Sequence, residues 1–449
     1  MSAADLTPRP PLRSGEGEEA KDMAEREALT AAVLADPDDD LPRLVFADWL
    51  DERGEPARAR FIRAQIALAA LPEWDPQSAA LRRTRAEWDC SAALLQNLPR
   101  LSSHLGLHWA THEPIRRGFG HAVQAPHLPV LHARMPTLLA EHPIGRLGLY
   151  AATLDQWQEF AASPWLPRIR EIDFEGIGAP IEAMRELLAS PGNNGLHTLR
   201  FGSSVSAGMP TVLERLLRSP VGDRLRALSL AQAFGSDESY FEDFLEAFQV
   251  GAEQLESLTL RSMGFGGLNF SQFLTSRRWE HLAELAIADA EPGPSGLDFL
   301  SYPDCWPELR AVKLDTVNLG RQNPERLANC LRLPNLALLD LRNSWLSAQA
   351  FQALAKADHL AGLRVLRLNR MTCDNRGVRY IAHAKFWRNL VELDLRGNPI
   401  DENGAKHLLG RKPPEQLELL RIDDRFPEEF RERLGDHFEG KAMFETVAI

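Results

Sequence analysis

LRAVKLDTV (309–317), LALLDLRNS (336–344), LRVLRLNRM (363–371), LVELDLRGN (390–398) and LELLRIDDR (417–425) decide how this chain folds. Their first residues, Leu309, Leu336, Leu363, Leu390 and Leu417, stand 27 residues apart. Apolar side chains fill the first, fourth and sixth positions of each, and alternation over the last two is the period of a strand buried on one face. A constant period of this length marks one small unit repeated along the chain. Such a unit buries its apolar edge only against its neighbours.

The same template runs backwards through Ile144/Leu147/Leu149, Ile169/Ile172/Phe174, Leu196/Leu199/Phe201, Leu225/Leu228/Leu230, Leu255/Leu258/Leu260 and Leu282/Leu285/Ile287, which makes eleven units. Spacings up to Leu255 are 25, 27, 29 and 30, and every later one is 27, with extra loop expected at Pro191–Gly195 and Phe234–Tyr240. LxxLxL at this period is the signature of a leucine-rich repeat, and the length resembles the ribonuclease-inhibitor-like class. The fold class expected is therefore α/β: a horseshoe solenoid with parallel strands on the concave side and helices on the convex side, preceded by a small all-α domain. Eleven strands from Ile144 to Ile422 would span roughly 50 Å. Leu366, Leu368, Leu393 and Leu395 should be fully buried, and Leu327, Leu354, Ile381 and Leu408 should be the inward residues of the helices. The position that ends the signature is Asn only at Asn398; elsewhere it is Ile177, Ser204, Ala233, Met263, Ala290, Val317, Ser344 or Met371. An asparagine ladder along the turns is thus largely replaced by packed apolar residues.

Ahead of the repeats, residues 1–23 lack apolar periodicity and read as a disordered tail. Residues 24–105 read as a helical domain. Its first helix ends at Asp36-Pro37; the second carries Val45, Phe46, Trp49 and Leu50; the third starts at Pro56 and carries Phe61, Ile62, Ile66 and Leu68; the fourth runs from about Pro76 to Leu95. Phe46, Trp49, Phe61 and Ile62 should share one core, with a partly buried Asp48 paired to Arg58, Arg60 or Arg63. Asp36–Asp40 suits helix capping rather than calcium, because Leu41 and Ala47 stand where an EF-hand needs Gly and Glu. Residues 106–143 read as a cap, with a strand over Arg116–Ala125 and a helix over His127–Ala140. Repeats fill 144–422, and 423–449 closes the array.

The run DPDDDLPRLVFADWLDERGEPARARFIRAQIALAAL (36–71) resembles the bacterial repeat-companion domain family, known mainly from planctomycetes and myxobacteria. That resemblance implies a short helical domain placed before leucine-rich or other repeats. It implies no activity and supplies no catalytic residue.

A formal charge of −12 excludes a strongly basic nucleic-acid footprint. No apolar run has the length of a membrane span or of a secretory leader. Cys90, Cys305, Cys330 and Cys373 are far apart with no C-x-x-C, so free thiols in a reducing cytoplasm are expected. No metalloprotease, nucleophile-elbow or phosphate-loop motif occurs, hence no catalytic, cofactor or metal residue is assigned. Trp279, Trp306 and Trp387 share one repeat offset with Leu333 and Leu360 and belong to the core. Trp345 stands where other repeats carry Asn318, Thr372 and Pro399, so it should project at a strand's end. Between the leucines, side chains point off the core: one column reads Lys313, Asp340, Arg367, Asp394, Arg421 and the next Asp315, Arg342, Asn369, Arg396, Asp423. Alternating charges in neighbouring strands give a self-satisfied ladder, each exposed pair contributing about 0.2–1 kcal/mol. The same face can dock a protein, and Trp345, Arg342, Asn343, Arg367, Asn369, Arg370 and Arg396 are the candidate contacts. The function expected is a monomeric, non-enzymatic adaptor, scaffold or inhibitor that binds a protein partner, not nucleic acid or membrane. The alternative is an enzyme with its active site in the helical domain and the repeats as substrate selector.

Overall fold

The structure, a computed structural model, describes residues 14–84, 107–110, 113–150, 152–174, 181–202, 208–231, 238–249, 251–263, 267–290, 297–317 and 326–445. The tail before residue 14, the fourth helix beyond Thr84, the loop at 234–237 and the turn residues Ile177, Ser204, Ala233 and 264–266 lie outside them.

Strands are β1 (His108–Trp109), β2 (Ile115–Arg116), β3 (Phe119–Gly120), β4 (Ala122–Ala125), β5 (Arg146–Leu149), β6 (Glu171–Phe174), β7 (Thr198–Phe201), β8 (Ala227–Ala231), β9 (Ser257–Arg261), β10 (Glu284–Ala288), β11 (Ala311–Asp315), β12 (Leu338–Asp340), β13 (Val365–Arg367), β14 (Glu392–Asp394), β15 (Leu419–Asp423) and β16 (Ala442–Glu445). One sheet of fourteen holds all but β2 and β3. From β4 to β16 neighbours are parallel and follow chain order, and β1 closes the edge antiparallel to β4. The chain is a leucine-rich-repeat solenoid. β5 to β15 are the eleven expected strands; β1, β4 and β16 extend them at the two ends, where terminal units depart from the repeated template.

The repeat leucines and the helices behind them form one continuous core. Leu366, Leu368, Leu393 and Leu395 are buried, as are Leu327, Leu354, Ile381 and Leu408. Trp279, Trp306 and Trp387 are buried too, and each indole N–H donates to a backbone carbonyl, of Leu274, Phe299 and Lys412 respectively. Cys373 is buried in this core, which pushes its thiol up and away from reactivity.

Each repeat between Leu255 and Leu417 ends its strand on one residue with positive φ: Ser262, Asp289, Thr316, Asn343, Arg370 and Gly397, between +50° and +69°. That left-handed residue turns the chain so that the next side chain enters the core. The entering residues Met263, Ala290, Val317, Ser344, Met371 and Asn398 are all buried. The apolar ones are packed as expected. Ser344 and Asn398 instead bond the turn backbone of the preceding repeat.

At the N-terminus, α1 (Ser14–Ala35), α2 (Leu41–Glu52), α3 (Pro56–Ala70) and α4 (Pro76–Thr84) precede the sheet. α1 begins at Ser14, so residues 14–23 are helical where a disordered tail was expected. Its Glu, Ala and Lys are good helix formers, and its Asp22 and Glu25 are held by Arg53 and by the Trp49 indole of α2. Val33, Phe46, Ala47, Leu50, Ala59, Ile62 and Phe119 form a small core joined by Leu29, Trp49 and Ile66. Phe61 is buried but outside this cluster, being one residue, or about 100°, round the helix from Ile62. Asp48 pairs with Arg63 at 2.6 Å, as expected, yet it is exposed rather than partly buried. Among the Asp36–Asp40 carboxylates, Asp39 accepts from the Leu41 N–H, a cap to the start of α2.

The single strand expected over Arg116–Ala125 is broken. Arg117 and Gly118 both have positive φ, 51° and 82°, the requirement of a two-residue hairpin turn, and β2–β3 is that hairpin. A Cβ at Gly118 would collide with Ile62 of α3, so glycine is needed for the turn and for the close approach. Phe119 then enters the helical core, tying α1–α3 to the first strands of the sheet.

Two histidines sit at this junction. His142 packs edge-on to Trp109 with centroids 5.3 Å apart; burial, then the charge of Arg58, holds its pKa down at about 4. His121 is lowered as well, by burial and by Arg116. Both are depressed below the unfolded value of about 6.5. Their contribution to stability is complete above that pH, declines as the pH falls, and is gone below the folded pKa. Acidification from pH 7 to 4.5 should therefore weaken the N-terminal end by roughly 1–3 kcal/mol. Thermal unfolding of wild type against His142→Gln across this range checks it: the variant's profile should be flatter, and parallel profiles would remove His142 as the cause.

Candidate partner-binding face

Side chains on the sheet face away from the repeat helices fall into three columns. The first, in register across neighbouring strands, is Ala311, Leu338, Val365, Glu392, Leu419. The second is Lys313, Asp340, Arg367, Asp394, Arg421. The third begins with Asp315, the last residue of β11, and Arg342, just beyond the end of β12. The first column is mainly an apolar stripe on a face expected to be polar.

That stripe is covered by the chain's own N-terminal part. Residues 71–84, the link after α3 together with α4, lie against β11–β15. Trp74 packs on Ala311, Leu338 and Val365, and Ala79 packs with Val391 and Leu419 beside Met443. The Glu73 carboxylate bridges Lys313 Nζ and Arg367 Nη1, each at 2.7 Å. Arg82 donates to Glu392 Oε2 at 2.7 Å and to the Glu73 carbonyl at 2.7 Å. Asp75 accepts from the Gln77 N–H at the start of α4, fixing the direction in which that helix leaves. Burial by itself would raise the Glu73 carboxyl, but the charges and hydrogen bonds of Arg367 and Lys313 outweigh it and hold the pKa at about 2. Glu392 is lowered in the same way, by Arg367 and Arg82 against burial.

Placement of the candidate contacts divides them. Arg367 lies under this cover, its side chain only 11% exposed, bonded to Glu73 and Glu392 with Asp340 nearby. Arg342 forks onto the buried Asp340 of its own strand, with Nε 3.0 Å from Oδ2. Arg396 does the same with Asp394 at 2.5 Å and reaches Glu445 of β16. The ladder is thus satisfied mainly along each strand, between residues two apart, and by Glu392 of the first column, rather than across equal positions. Asn343 donates to Asp315 at 2.7 Å. The Asn369 carbonyl accepts from the Asn343 N–H, and the Arg370 N–H donates to the Arg396 carbonyl. Trp345 is 37% exposed, large for an indole. Arg342, Asn343, Asn369, Arg370 and Trp345 therefore lie along the rim where β12 and β13 end, and Arg396 follows after β14.

Sequence reasoning missed the apolar column, Glu73, Trp74 and Arg82. A signal for the first existed. Ala311, Leu338, Val365 and Leu419 all hold the third position of LxxLxL, which points off the core and which water-facing repeats fill with polar residues.

A second feature lies where the helical part meets the first repeats. A cavity of about 230 Å³ is lined by Arg43, Arg116, Arg117, His121, Arg170 and His197, among others. Its charges are largely spent on each other: Arg117 with Asp40 at 3.3 Å, Arg170 with Asp38 at 3.1 Å and Arg116 with Glu171 at 3.1 Å. Among the described residues no group of His, Cys, Asp and Glu could hold a metal ion, and no helix is long and apolar enough to cross a membrane.

No protein-family model matches the chain, and no curated protein matches it either. Among solved structures it is similar to a chain of the yeast Rad7–Elc1 complex, at 12% identity and a TM-score of 0.43 over 97% of this chain and 96% of that one. It is also similar to an internalin from Listeria monocytogenes, at 14% identity and a TM-score of 0.36 over 68% and 81% of the two chains. A chain of a TLR13–ssRNA13 complex gives 14% identity and a TM-score of 0.32 over 68% and 42%. The repeat architecture stands on this chain's own strands and core.

Proposed function

We propose that the protein is a non-enzymatic binding module, an adaptor, scaffold or inhibitor that holds a protein partner on the inner face of its repeats and on the rim beside it. The observation that carries this reading is the patterning of that face. An apolar stripe runs beside fixed cations and carboxylates, and a peptide segment is already gripped there through both. A surface of this kind recognises polypeptide. The chain's net charge of −12 disfavours nucleic acid as the partner. Trp345, Arg342, Asn343, Asn369, Arg370 and Arg396 supply the rim, with Arg367 inside. A large aromatic beside arginines is the composition that interface centres favour. A helical part placed before repeats also matches the order of the repeat-companion proteins that residues 36–71 resemble, and a cytoplasmic monomer fits the composition.

The test starts with a pull-down from the source organism to identify the partner, followed by titration of that partner against Trp345→Ala and Arg342→Ala. Trp345→Ala should weaken binding by at least about 2 kcal/mol while the unfolding midpoint stays near that of wild type. Unchanged binding by both variants would move the site off this rim. A large fall in the unfolding midpoint would make Trp345 a packing residue.

A further inference from the structure

We propose that residues 71–84 are a built-in, displaceable occupant of the inner face, and that the partner enters by presenting an acidic–aromatic peptide segment in place of Glu73 and Trp74. This rests on the protein-binding reading above and names the chemistry of the partner for the same face.

The argument begins with the stripe. Ala311, Leu338 and Val365 would form a continuous apolar patch if uncovered, with Leu419 beyond Glu392, and soluble surfaces rarely leave such patches open. Something must cover them, and the chain does so with the Trp74 indole and with Ala79 of α4. The cover is held by Trp74, Ala79 and the ion pairs of Glu73, Arg82 and Arg83. The Glu73 side chain is 38% exposed, and the cations it bridges are 22% and 11% exposed. Glu73 is the most exposed of the three groups and so the one a second carboxylate can replace. Trp74 is only half-buried, so an incoming aromatic reaches the edge of its seat. The receptor side, by contrast, is rigid. Lys313 is held by Glu284 at 2.9 Å, and Arg367 by Glu392 at 2.8 Å, independently of the cover. Both cations stay in place for a second carboxylate when Glu73 leaves.

Competition follows from connectivity. The segment is tethered to α3, and a tether of this kind gives a local concentration in the millimolar range. A free peptide therefore binds more weakly than its intrinsic affinity by the fraction of molecules in which the face is open. Weakening the tethered copy should raise the affinity for a peptide in trans, a result opposite in sign to that of simple damage.

The experiment uses the full chain and a fluorescein-labelled peptide copying residues 71–84, LPEWDPQSAALRRT, read by anisotropy. The expected result is binding to Glu73→Lys/Trp74→Ala at least tenfold tighter than to wild type. Adding Lys313→Ala in that background, or replacing the peptide's Trp by Ala, should abolish the gain. Equal binding to wild type and to the weakened chain overturns the proposal, as does a gain indifferent to Lys313→Ala. If circular dichroism shows that the double variant is unfolded, Arg82→Glu, which opposes Glu392 and releases the other end, takes its place with the same direction of effect. Absence of peptide binding to any folded variant also overturns the proposal. The partner titration with Trp345→Ala stays separate. Loss there with no peptide binding leaves the protein-binding reading intact and removes the displaceable segment; peptide binding with Trp345→Ala silent keeps the segment and moves the rim.

Discussion

Asn398→Ala should lower the stability of the repeat array by about 3–5 kcal/mol. The side chain is 1% exposed and bonds five backbone groups, the weakest being the Arg396 carbonyl at 3.3 Å. Its Oδ1 accepts from Met371 and Cys373 N–H at 3.1 Å each. Its Nδ2 donates to the carbonyls of Leu368 at 2.7 Å and Leu395 at 2.9 Å. Alanine removes all of these at once and leaves two buried N–H groups without an acceptor, each worth about 1–3 kcal/mol. The turn after β13 would loosen first, since both orphaned donors belong to it. Denaturant unfolding measures the total, and hydrogen exchange at Met371 and Cys373 locates it. A loss under about 1 kcal/mol would mean that water fills the space and replaces the amide.

How much of this was open to a reader of the sequence depends on the range of the interaction. Strands, convex helices and buried tryptophans follow from a 27-residue period, because every leucine that faces the core does so against copies of itself one repeat away. Local chemistry also located Pro56 at the start of α3 and singled out Asn398. What escaped is what the period does not contain. Glu73 lies 240 residues from Lys313 and 294 from Arg367, and Arg82 lies 310 from Glu392. No spacing rule links segments so far apart, and Trp74 in isolation reads as one aromatic in a turn. The apolar column was nearer to hand, since Leu338 and Val365 break the polar alternation of their own strands. The terminal strands have no LxxLxL: β4 lies inside the strand read over Arg116–Ala125, while β16 was read only as part of the closing segment. Arg367 shows the limit at a single residue. Its charge and face were legible, and the carboxylate that occupies it was not.

Leu366→Ala should cost about 2–5 kcal/mol, with the loss confined to the C-terminal repeats. The residue is 2% exposed in β13, in register with Leu339 on one side and Leu393 on the other. It already borders a void of about 10 Å³ walled by Leu339, Phe351, Leu354, Leu360, Leu363, Leu368, Ile381 and Phe386. A space of that size, lined only by carbon, stays dry. Truncation merges the lost side-chain volume with it, so the transfer loss is joined by a cavity term that grows with the combined volume. The walls come from the neighbouring repeats' strands and helices, which limits how far they can collapse inward without breaking the register of the sheet. Each repeat touches mainly its neighbours. Hydrogen exchange should therefore quicken from about β12 to β14 while β5 to β8 keep wild-type protection. Covering the stripe from outside, the Trp74 contact to Val365 on the same strand offers a second reporter: its fluorescence should change along with the local exchange. Uniform acceleration through all the strands would mean that the array unfolds as one cooperative block, and a cost under about 1 kcal/mol would mean that the helices close the void.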